Sequence, residues 1–272
     1  MAIPRIWPWD ISFFSTKDKN MDLGIAGKWA LVCGASRGLG FGCAQALVNE
    51  GVNVLMASRD PAVLKASADS LAERAGQTGA QVLHVAADVT TEAGRAAVFA
   101  VRKDFDIVVT NAGGPPTGDA LSFGHDDWIR AVEANMLAPI ELIRATAAGM
   151  AERGFGRIVN ITSGSVKAPI DVLALSNGAR SGLTGFIAGL ARGPLAAKGV
   201  TINNLLPGAF DTDRLRVTMQ GAVAKTGKSF EEVAAARRQT IPAKRFGNAQ
   251  EFGAICAFLC SQQAAYLTGQ NV

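Results

Sequence analysis

The strongest constraint on the fold is a regular alternation of short apolar segments with longer segments of helical pattern. Strands that alternate with helices in this way need crossover connections, which build a parallel sheet covered by helices on both faces. A chain of 272 residues is long enough to bury the core of such a sheet. We therefore predict an α/β fold with a doubly wound parallel sheet in a single domain. The predicted strands are residues 29–33, 53–57, 81–86, 106–109, 157–161 and 201–206.

The composition excludes several classes of protein. Hydrophobic residues make up 49% of the chain and charged residues 18%, which is typical of a globular fold and not of a disordered chain. The formal net charge is only +4, and the basic residues are spread along the chain, which argues against a nucleic-acid partner. No apolar stretch approaches the roughly 18 residues that span a membrane. We expect a cytoplasmic protein with no nucleic-acid or membrane partner.

Cysteine and histidine side chains give no sign of a metal site. Cys33, Cys43, Cys256 and Cys260 lie in apolar segments without CxxC spacing, which is typical of buried thiols in a reducing compartment. His84 lies inside the third predicted strand, and we interpret it as a packed core histidine. No metal ligand is therefore expected.

The first 20 residues differ from the rest of the chain. Pro8 and Asp10 interrupt the apolar run that a signal peptide would need. We interpret residues 1–20 as an N-terminal extension, and we place the α/β domain at residues 21–272.

A glycine cluster follows the first predicted strand. The segment CGASRGLG, residues 33–40, joins that strand to a helical pattern, as a phosphate-binding loop does. Glycines in such a loop permit a tight turn, close approach of the backbone to a pyrophosphate and close helix packing. The N terminus of the following helix then offers free N–H groups and a positive dipole to the phosphates. The expected cofactor-binding residues are Gly34, Ser36, Arg37, Gly38, Leu39 and Gly40.

The G-x-x-x-G-x-G spacing of this cluster resembles the classical short-chain dehydrogenase/reductase family, and further motifs follow in the family's order. The resemblance covers residues 24–272 and is strongest to the branch described as 3-oxoacyl carrier-protein reductase-like. It implies a Rossmann fold and an oxidoreductase that acts on a small-molecule substrate. The motifs are Asp88-Val89, Asn111-Ala112-Gly113, Asn135 in a helix beginning near Asp126, RIVNITS ending at Ser163, and Pro207-Gly208 with Thr212.

The family's roles for these residues carry over position by position. By resemblance, Asp88 and Val89 contact the adenine, and residues 111–113 line the cofactor. Pro207, Gly208 and Thr212 belong to a loop that closes over the nicotinamide. Residues 213–244 form a substrate lid, in which Gly221 and Gly227 are expected hinges. Helices near residues 126–150 and 173–198 are expected to build a homodimer or homotetramer.

The end of the second strand indicates which nicotinamide cofactor binds. An Asp or Glu at this point would hold the ribose 2′-OH and would repel a 2′-phosphate. Here the strand ends in Ser58 and Arg59, and Arg37 lies in the glycine loop. Two guanidinium groups suit a phosphate, whereas the one nearby acid, Asp60, precedes Pro61 and is expected to cap a helix. We therefore predict NADP(H).

The catalytic positions depart from the family. Counting from Ser163, the family's Tyr would fall at Ser176 and its Lys at Arg180, and the one Tyr of the chain is Tyr266. A serine hydroxyl titrates far above pH 7, so Ser176 cannot replace the tyrosine as an acid. Arg180 can hold the ribose hydroxyls and place positive charge beside the substrate oxygen, but it is a poor proton source.

Five residues are the candidates for catalysis: Ser163, Ser176, Arg180, Asn135 and Lys167. Lys167 is included as a substitute proton donor, with a solvated loop lysine as the alternative. Three functions remain open. They are reduction of a small carbonyl substrate with NADPH, reduction of a conjugated C=C or C=N bond, and non-catalytic dinucleotide binding.

Overall fold

The computed structural model describes residues 21–272, so the predicted extension at residues 1–20 lies outside the described part. Six parallel strands form one sheet in the order β3-β2-β1-β4-β5-β6, which confirms the predicted doubly wound α/β fold. Each strand coincides with a predicted segment to within one residue at either end. The strands are β1 Trp29–Cys33, β2 Asn53–Ser58, β3 Val82–Ala86, β4 Ile107–Thr110, β5 Gly156–Ile161 and β6 Val200–Leu205.

Helices follow the strands and cover both faces of the sheet. They are α1 Gly38–Asn49, α2 Pro61–Thr78, α3 Glu92–Val101, α4 His125–Val132, α5 Ala138–Glu152, α6 Ala174–Leu190, α7 Asp213–Thr226, α8 Phe230–Gln239 and α9 Ala249–Cys260. A π-helical segment, Glu133–Leu137, joins α4 to α5. Within residues 21–272, no helix combines the length and the apolar character that crossing a membrane requires.

Alternate residues of the central strand enter two separate cores. Val32 packs on one face of the sheet in the cluster that includes Phe252 of α9, while Leu31 packs on the other face with Leu142 of α5. These side chains are almost fully buried. Burial of each large apolar side chain contributes about 1.5–3 kcal/mol, so the two layers hold the sheet from both sides. This rigid sheet fixes the loops at its carboxyl edge.

The edge strand β3 is exposed, which makes the interpretation of His84 wrong. In the part of the chain that the structure describes, β3 pairs only with β2, and His84 in its middle is exposed to solvent. An edge strand has one neighbour, so helices on the two faces cover its side chains less completely than those of a central strand. The sequence of β3 alone does not distinguish an edge strand from a central strand.

The strand order reverses at β1, which lies between β2 and β4. Connections from β1 and β4 therefore leave in opposite directions and open a crevice at the carboxyl ends of the strands, where ligands of such folds bind. The polar segment predicted as a lid forms α7 and α8. Gly227 ends α7 with φ 68°, whereas Gly221 lies inside that helix.

Residues 269–272 lie along β6. Gly269 N donates to Ile202 O at 2.7 Å, and Val272 N donates to Asn204 O at 2.9 Å. Asn204 and Asn271 form a parallel bridge there. The described chain thus ends with its last residues hydrogen-bonded beside the sixth strand.

Candidate active site

The glycine loop after β1 has the geometry of a phosphate cradle. Gly34 and Gly38 both have φ 58°, a left-handed conformation that favours glycine. A Cβ on Gly40 would lie 2.2 Å from Gly34 O, so a side chain there would force the loop away from α1. α1 begins at Gly38, and no side chain of residues 21–272 caps its first N–H groups. Those groups are free for an anion, and the loop therefore fits the pyrophosphate of a dinucleotide.

The end of β2 lies against this loop. Ser36 Oγ and Ser58 Oγ are 2.9 Å apart, which joins the carboxyl ends of β1 and β2 by a hydrogen bond. Arg59 is exposed, and its Nη2 would lie 3.9 Å from a Cβ on Gly113 in the loop after β4. Asp60 accepts hydrogen bonds from Ala62 N and Val63 N, which confirms it as the cap of α2. The Asp60 carboxylate is thereby held against the first turn of α2.

Arg37 has an acidic partner. Its Nη1 lies 3.4 Å from Asp213 Oδ2 at the start of α7, and both side chains are more than half exposed. Thr212, one residue earlier, caps α7, and its methyl group would lie 3.5 Å from a Cβ on Gly38. The start of α7 thus rests on the glycine loop.

The remaining predicted cofactor residues also follow the carboxyl ends of strands. Asp88 Oδ1 accepts from Thr90 N and Thr90 Oγ1, so this carboxylate holds the turn after β3. Asn111 Nδ2 donates to Gly34 O at 3.5 Å, across the crevice between β4 and β1. The others at this edge are Leu39, Val89, Ala112, Gly113, Pro207 and Gly208.

Ser163 follows β5, and within the described range 21–272 its hydroxyl hydrogen is donated to no other group. Its Oγ accepts from Ser165 N at 3.1 Å and from Ser165 Oγ at 2.9 Å. A hydroxyl that accepts two hydrogen bonds keeps its own O–H for a third partner. Ser165 is buried, and the sequence interpretation missed it because a serine in a turn carries no distinguishing pattern. The geometry leaves Ser163 able to donate to a substrate oxygen.

Ser176 and Arg180 lie one turn apart on α6 and share one face of that helix. Arg180 Nη1 donates to Thr162 O, and Nη2 donates to Asn135 Oδ1 at 2.9 Å. The guanidinium group is therefore turned inward, beside the residue that precedes Ser163. Ser176 is 7% exposed. Lys167 is exposed, and its ammonium forms no hydrogen bond with any of these residues.

Arg180 stands where the resembled family has a lysine. Burying its larger guanidinium group has an electrostatic cost. Burial, and to a smaller extent the positive charge of Arg214, lower the pKa of Arg180 from 12.5 to about 10. Its Nε is buried without a partner among residues 21–272. Arg180 stays protonated at neutral pH, because that pKa still lies well above 7.

Asn135 lies in the π-helical segment between α4 and α5 and is 5% exposed. Its Nδ2 donates to Ala131 O at 3.3 Å, which leaves Oδ1 to accept from Arg180. Such a segment is one residue wider than an α-helical turn and is frequent at functional sites. Here it coincides with the amide that holds the guanidinium group.

Arg214 is a second residue that the sequence interpretation missed. Its Nη1 donates to Gly114 O at 3.1 Å and its Nη2 donates to Pro115 O at 2.7 Å, which ties α7 to the loop after β4. The two ends of this contact are 100 positions apart in the chain. The sequence signal that could have indicated Arg214 is its position directly after Thr212 and Asp213, where α7 begins.

Comparisons with known proteins identify the family of the chain. A family model described as Enoyl-(Acyl carrier protein) reductase matches residues 34–272. The 3-oxoacyl-[acyl-carrier-protein] reductase of Salmonella typhimurium is 32% identical over 253 residues, which cover 92% of this chain and 96% of that one. Dehydrogenase/reductase SDR family member 4 of Bos taurus is 31% identical, and the match covers 90% of this chain and 85% of that one.

Solved structures give the same result. L-sorbose reductase from Gluconobacter frateurii, complexed with NADPH and L-sorbose, superposes with a TM-score of 0.85 at 29% identity and covers 92% of this chain and 96% of that one. Actinorhodin polyketide ketoreductase with NADPH gives a TM-score of 0.81 at 29% identity, covering 90% and 94%. The protein therefore belongs to the classical short-chain dehydrogenase/reductase family, in the branch that resembles the 3-oxoacyl-[acyl-carrier-protein] reductases.

Proposed function

We propose that this protein reduces a small carbonyl substrate with NADPH, using Ser163 and Arg180 in place of a tyrosine acid. The observation that supports this most directly is the inward position of Arg180, which is hydrogen-bonded to Thr162 O beside Ser163. A positive charge and a free hydroxyl hydrogen at one point suit an oxygen that becomes negative during the reaction.

Ser163 stabilises that oxygen by donating its hydroxyl hydrogen. Two hydrogen bonds from Ser165 fix the position of Ser163 Oγ, so little reorganisation is needed when charge develops. Arg180 adds positive charge, since its guanidinium remains protonated. The proton that completes the alcohol comes from water, because Arg180 gives up its proton only at high pH. Lys167 is exposed and serves no part in this scheme.

The chain's own residues also define the cofactor site. A bound nicotinamide cofactor supplies the hydride. The glycine loop and the N terminus of α1 bind its pyrophosphate, while Ser58 and Arg59 bind the 2′-phosphate. Arg37 joins them by exchanging its exposed partner Asp213 for the phosphate, because an exposed ion pair at 3.4 Å is weak. The NADPH in two related structures supports this choice.

A second candidate is reduction of a conjugated C=C or C=N bond. In residues 21–272, no carboxyl, imidazole or phenol group hydrogen-bonds to Ser163, Ser176 or Arg180. When hydride adds to carbon in a conjugated system, a strong acid at oxygen matters less.

Non-catalytic binding is the third candidate function, and it predicts that the cofactor binds without turnover.

One assay separates the three. NADPH oxidation is followed with matched panels of ketones, enones and cyclic imines, and NADPH binding is measured separately by fluorescence. We expect turnover with at least one ketone and a loss of at least tenfold in kcat for Ser163→Ala, about 1.4 kcal/mol. Ser70→Ala, the same change at an exposed position of α2, is the control. Turnover confined to enones or imines would replace the carbonyl assignment, and tight NADPH binding without any turnover would refute catalysis.

A further inference from the structure

An ion pair joins the glycine loop to the first turn of α7. Arg37 Nη1 lies 3.4 Å from Asp213 Oδ2, although the two residues are 176 positions apart in the chain. The methyl group of Thr212 is also close to this loop, since it would lie 3.5 Å from a Cβ on Gly38. The Asp213 carboxylate is therefore held beside the loop that binds the cofactor in the proposed site.

The two arginines of the proposed 2′-phosphate site leave the sheet at one junction. Arg37 directly follows Ser36 and Arg59 directly follows Ser58, and the Oγ atoms of these serines are 2.9 Å apart. A phosphate at this junction is within the range of both guanidinium groups. Within residues 21–272, the salt bridges include Arg37 but not Arg59. Arg37 is therefore the arginine that must give up an acid before it can bind the phosphate.

Exchange of the carboxylate for the phosphate has a small energetic cost. The two groups are both negative, so placing them together on the same guanidinium is unfavourable. The pair is exposed, with 60% of the Arg37 side chain and 64% of the Asp213 side chain accessible, and such ion pairs are weak. Asp213 also stays favourably placed after separation, because the first turn of α7 favours a negative charge. The pair therefore opens readily, but opening it costs some of the affinity for the phosphate.

We propose that Asp213 is an internal competitor of the cofactor's 2′-phosphate for Arg37, and that it thereby lowers the preference of the protein for NADPH over NADH. This inference rests on the proposed NADPH site. NADH has no 2′-phosphate, so it binds without separating Arg37 from Asp213. NADPH gains its contact with Arg37 only when that pair opens. The cost of opening therefore falls on NADPH alone, which makes Asp213 a residue that sets cofactor specificity.

The ratio of two dissociation constants tests the competition without turnover. NADPH and NADH are titrated by fluorescence at one ionic strength, and the constant for NADH is divided by that for NADPH. Asp213→Asn removes the charge and keeps the size of the side chain. We expect this ratio to rise about threefold, through tighter binding of NADPH with NADH unchanged. Any effect of the substitution on the stability of α7 acts on both cofactors and cancels in the ratio. An unchanged ratio would overturn the inference.

Two further variants separate competition from simple repulsion of the phosphate by a nearby acid. In an Arg37→Gln background, Asp213→Asn should leave the ratio unchanged, because the group for which the two anions compete is gone. Asp211→Asn is the matched control, since it removes a neighbouring acid whose partner is Arg216, with an Oδ1–Nε distance of 3.1 Å. It should also leave the ratio unchanged. A rise of the same size in either case would mean that Asp213 acts through space, and it would overturn the inference.

The outcome is distinguishable from that of the proposed function. An NADPH preference in the unmodified protein that Asp213→Asn leaves unchanged would refute the competition and leave the NADPH assignment standing. Equal affinities in the unmodified protein, with an NADPH preference in Asp213→Asn that requires Arg37, would refute that assignment and support the competition. A rise in the ratio that requires Arg37, without NADPH oxidation by any carbonyl compound, would refute the reductase and establish the competition.

Discussion

At the scale of single residues, the site depends on how one guanidinium group is held. A lysine at position 180 would present three rotating donors on a flexible stem, whereas Arg180 has a planar fork. That fork spans Thr162 O and Asn135 Oδ1, so it joins α6, the end of β5 and the π-helical segment. The arginine is therefore both a charge in the site and a connection between three elements.

Arg180 should matter much more than Ser176. Arg180→Ala removes the charge and leaves two buried acceptors unpaired, so we expect lower NADPH affinity, lower turnover and a loss of about 1–3 kcal/mol in the free energy of unfolding. Ser176→Ala should cost less than tenfold in turnover, under about 1.4 kcal/mol. Steady-state kinetics and thermal unfolding measure these effects. Loss of turnover in Ser176→Ala would show that its hydroxyl takes part in the chemistry.

The reverse experiment rebuilds the family pair at these two positions. Ser176→Tyr with Arg180→Lys supplies a phenol next to a lysine, which should create or raise ordinary ketone reduction if the pocket has room for the ring. Arg180→Lys alone is the matched control, since it keeps the charge without the phenol. A gain that appears equally in the single variant would mean that the tyrosine contributes nothing.

At the scale of elements, the cofactor preference follows from the meeting of two strand ends. The Ser36–Ser58 hydrogen bond holds the ends of β1 and β2 together, and Arg59 extends from this junction. We expect NADPH to bind at least tenfold more tightly than NADH, about 1.4 kcal/mol. Arg59→Glu should reverse the order by repelling the 2′-phosphate, and fluorescence titration measures both constants. Arg74→Glu on the exposed side of α2 is the control. Equal affinities in the unmodified protein would contradict the assignment.

Local patterns were enough to predict the elements but not the contacts between them. The six strands are short apolar runs, and Asp60 before Pro61 marks a helix start, because both signals lie within a few residues. The exposed position of His84 depends on β3 being an edge strand, which its own residues do not encode. The contacts of Arg214 with Gly114 and of Asp213 with Arg37 join positions far apart in sequence, so only the folded chain brings them together.

At the scale of the whole molecule, α6 presents a helix surface without large side chains. Gly178, Ser181, Gly185 and Gly189 are exposed along one side of it. A Cβ on Gly185 or on Gly189 would meet nothing within 4 Å. Ala145 on the neighbouring α5 is also exposed. Small residues in this arrangement allow another helix to approach closely, and a twofold axis would let two copies of α6 pack together.

We therefore predict that the protein forms a dimer or a tetramer through this surface. Light scattering at micromolar concentration should give two or four times the chain mass of 28.3 kDa. Gly185→Arg should dissociate the assembly, because a long charged side chain would stand in the approach between helices. It also replaces a glycine inside a helix by a better helix former, so the fold should be retained. Gly76→Arg is the matched control, since Gly76 lies exposed on α2 and a Cβ there also meets nothing within 4 Å. A monomer mass for the unmodified protein would refute the assembly, and an unchanged mass for Gly185→Arg would place its contacts on another surface.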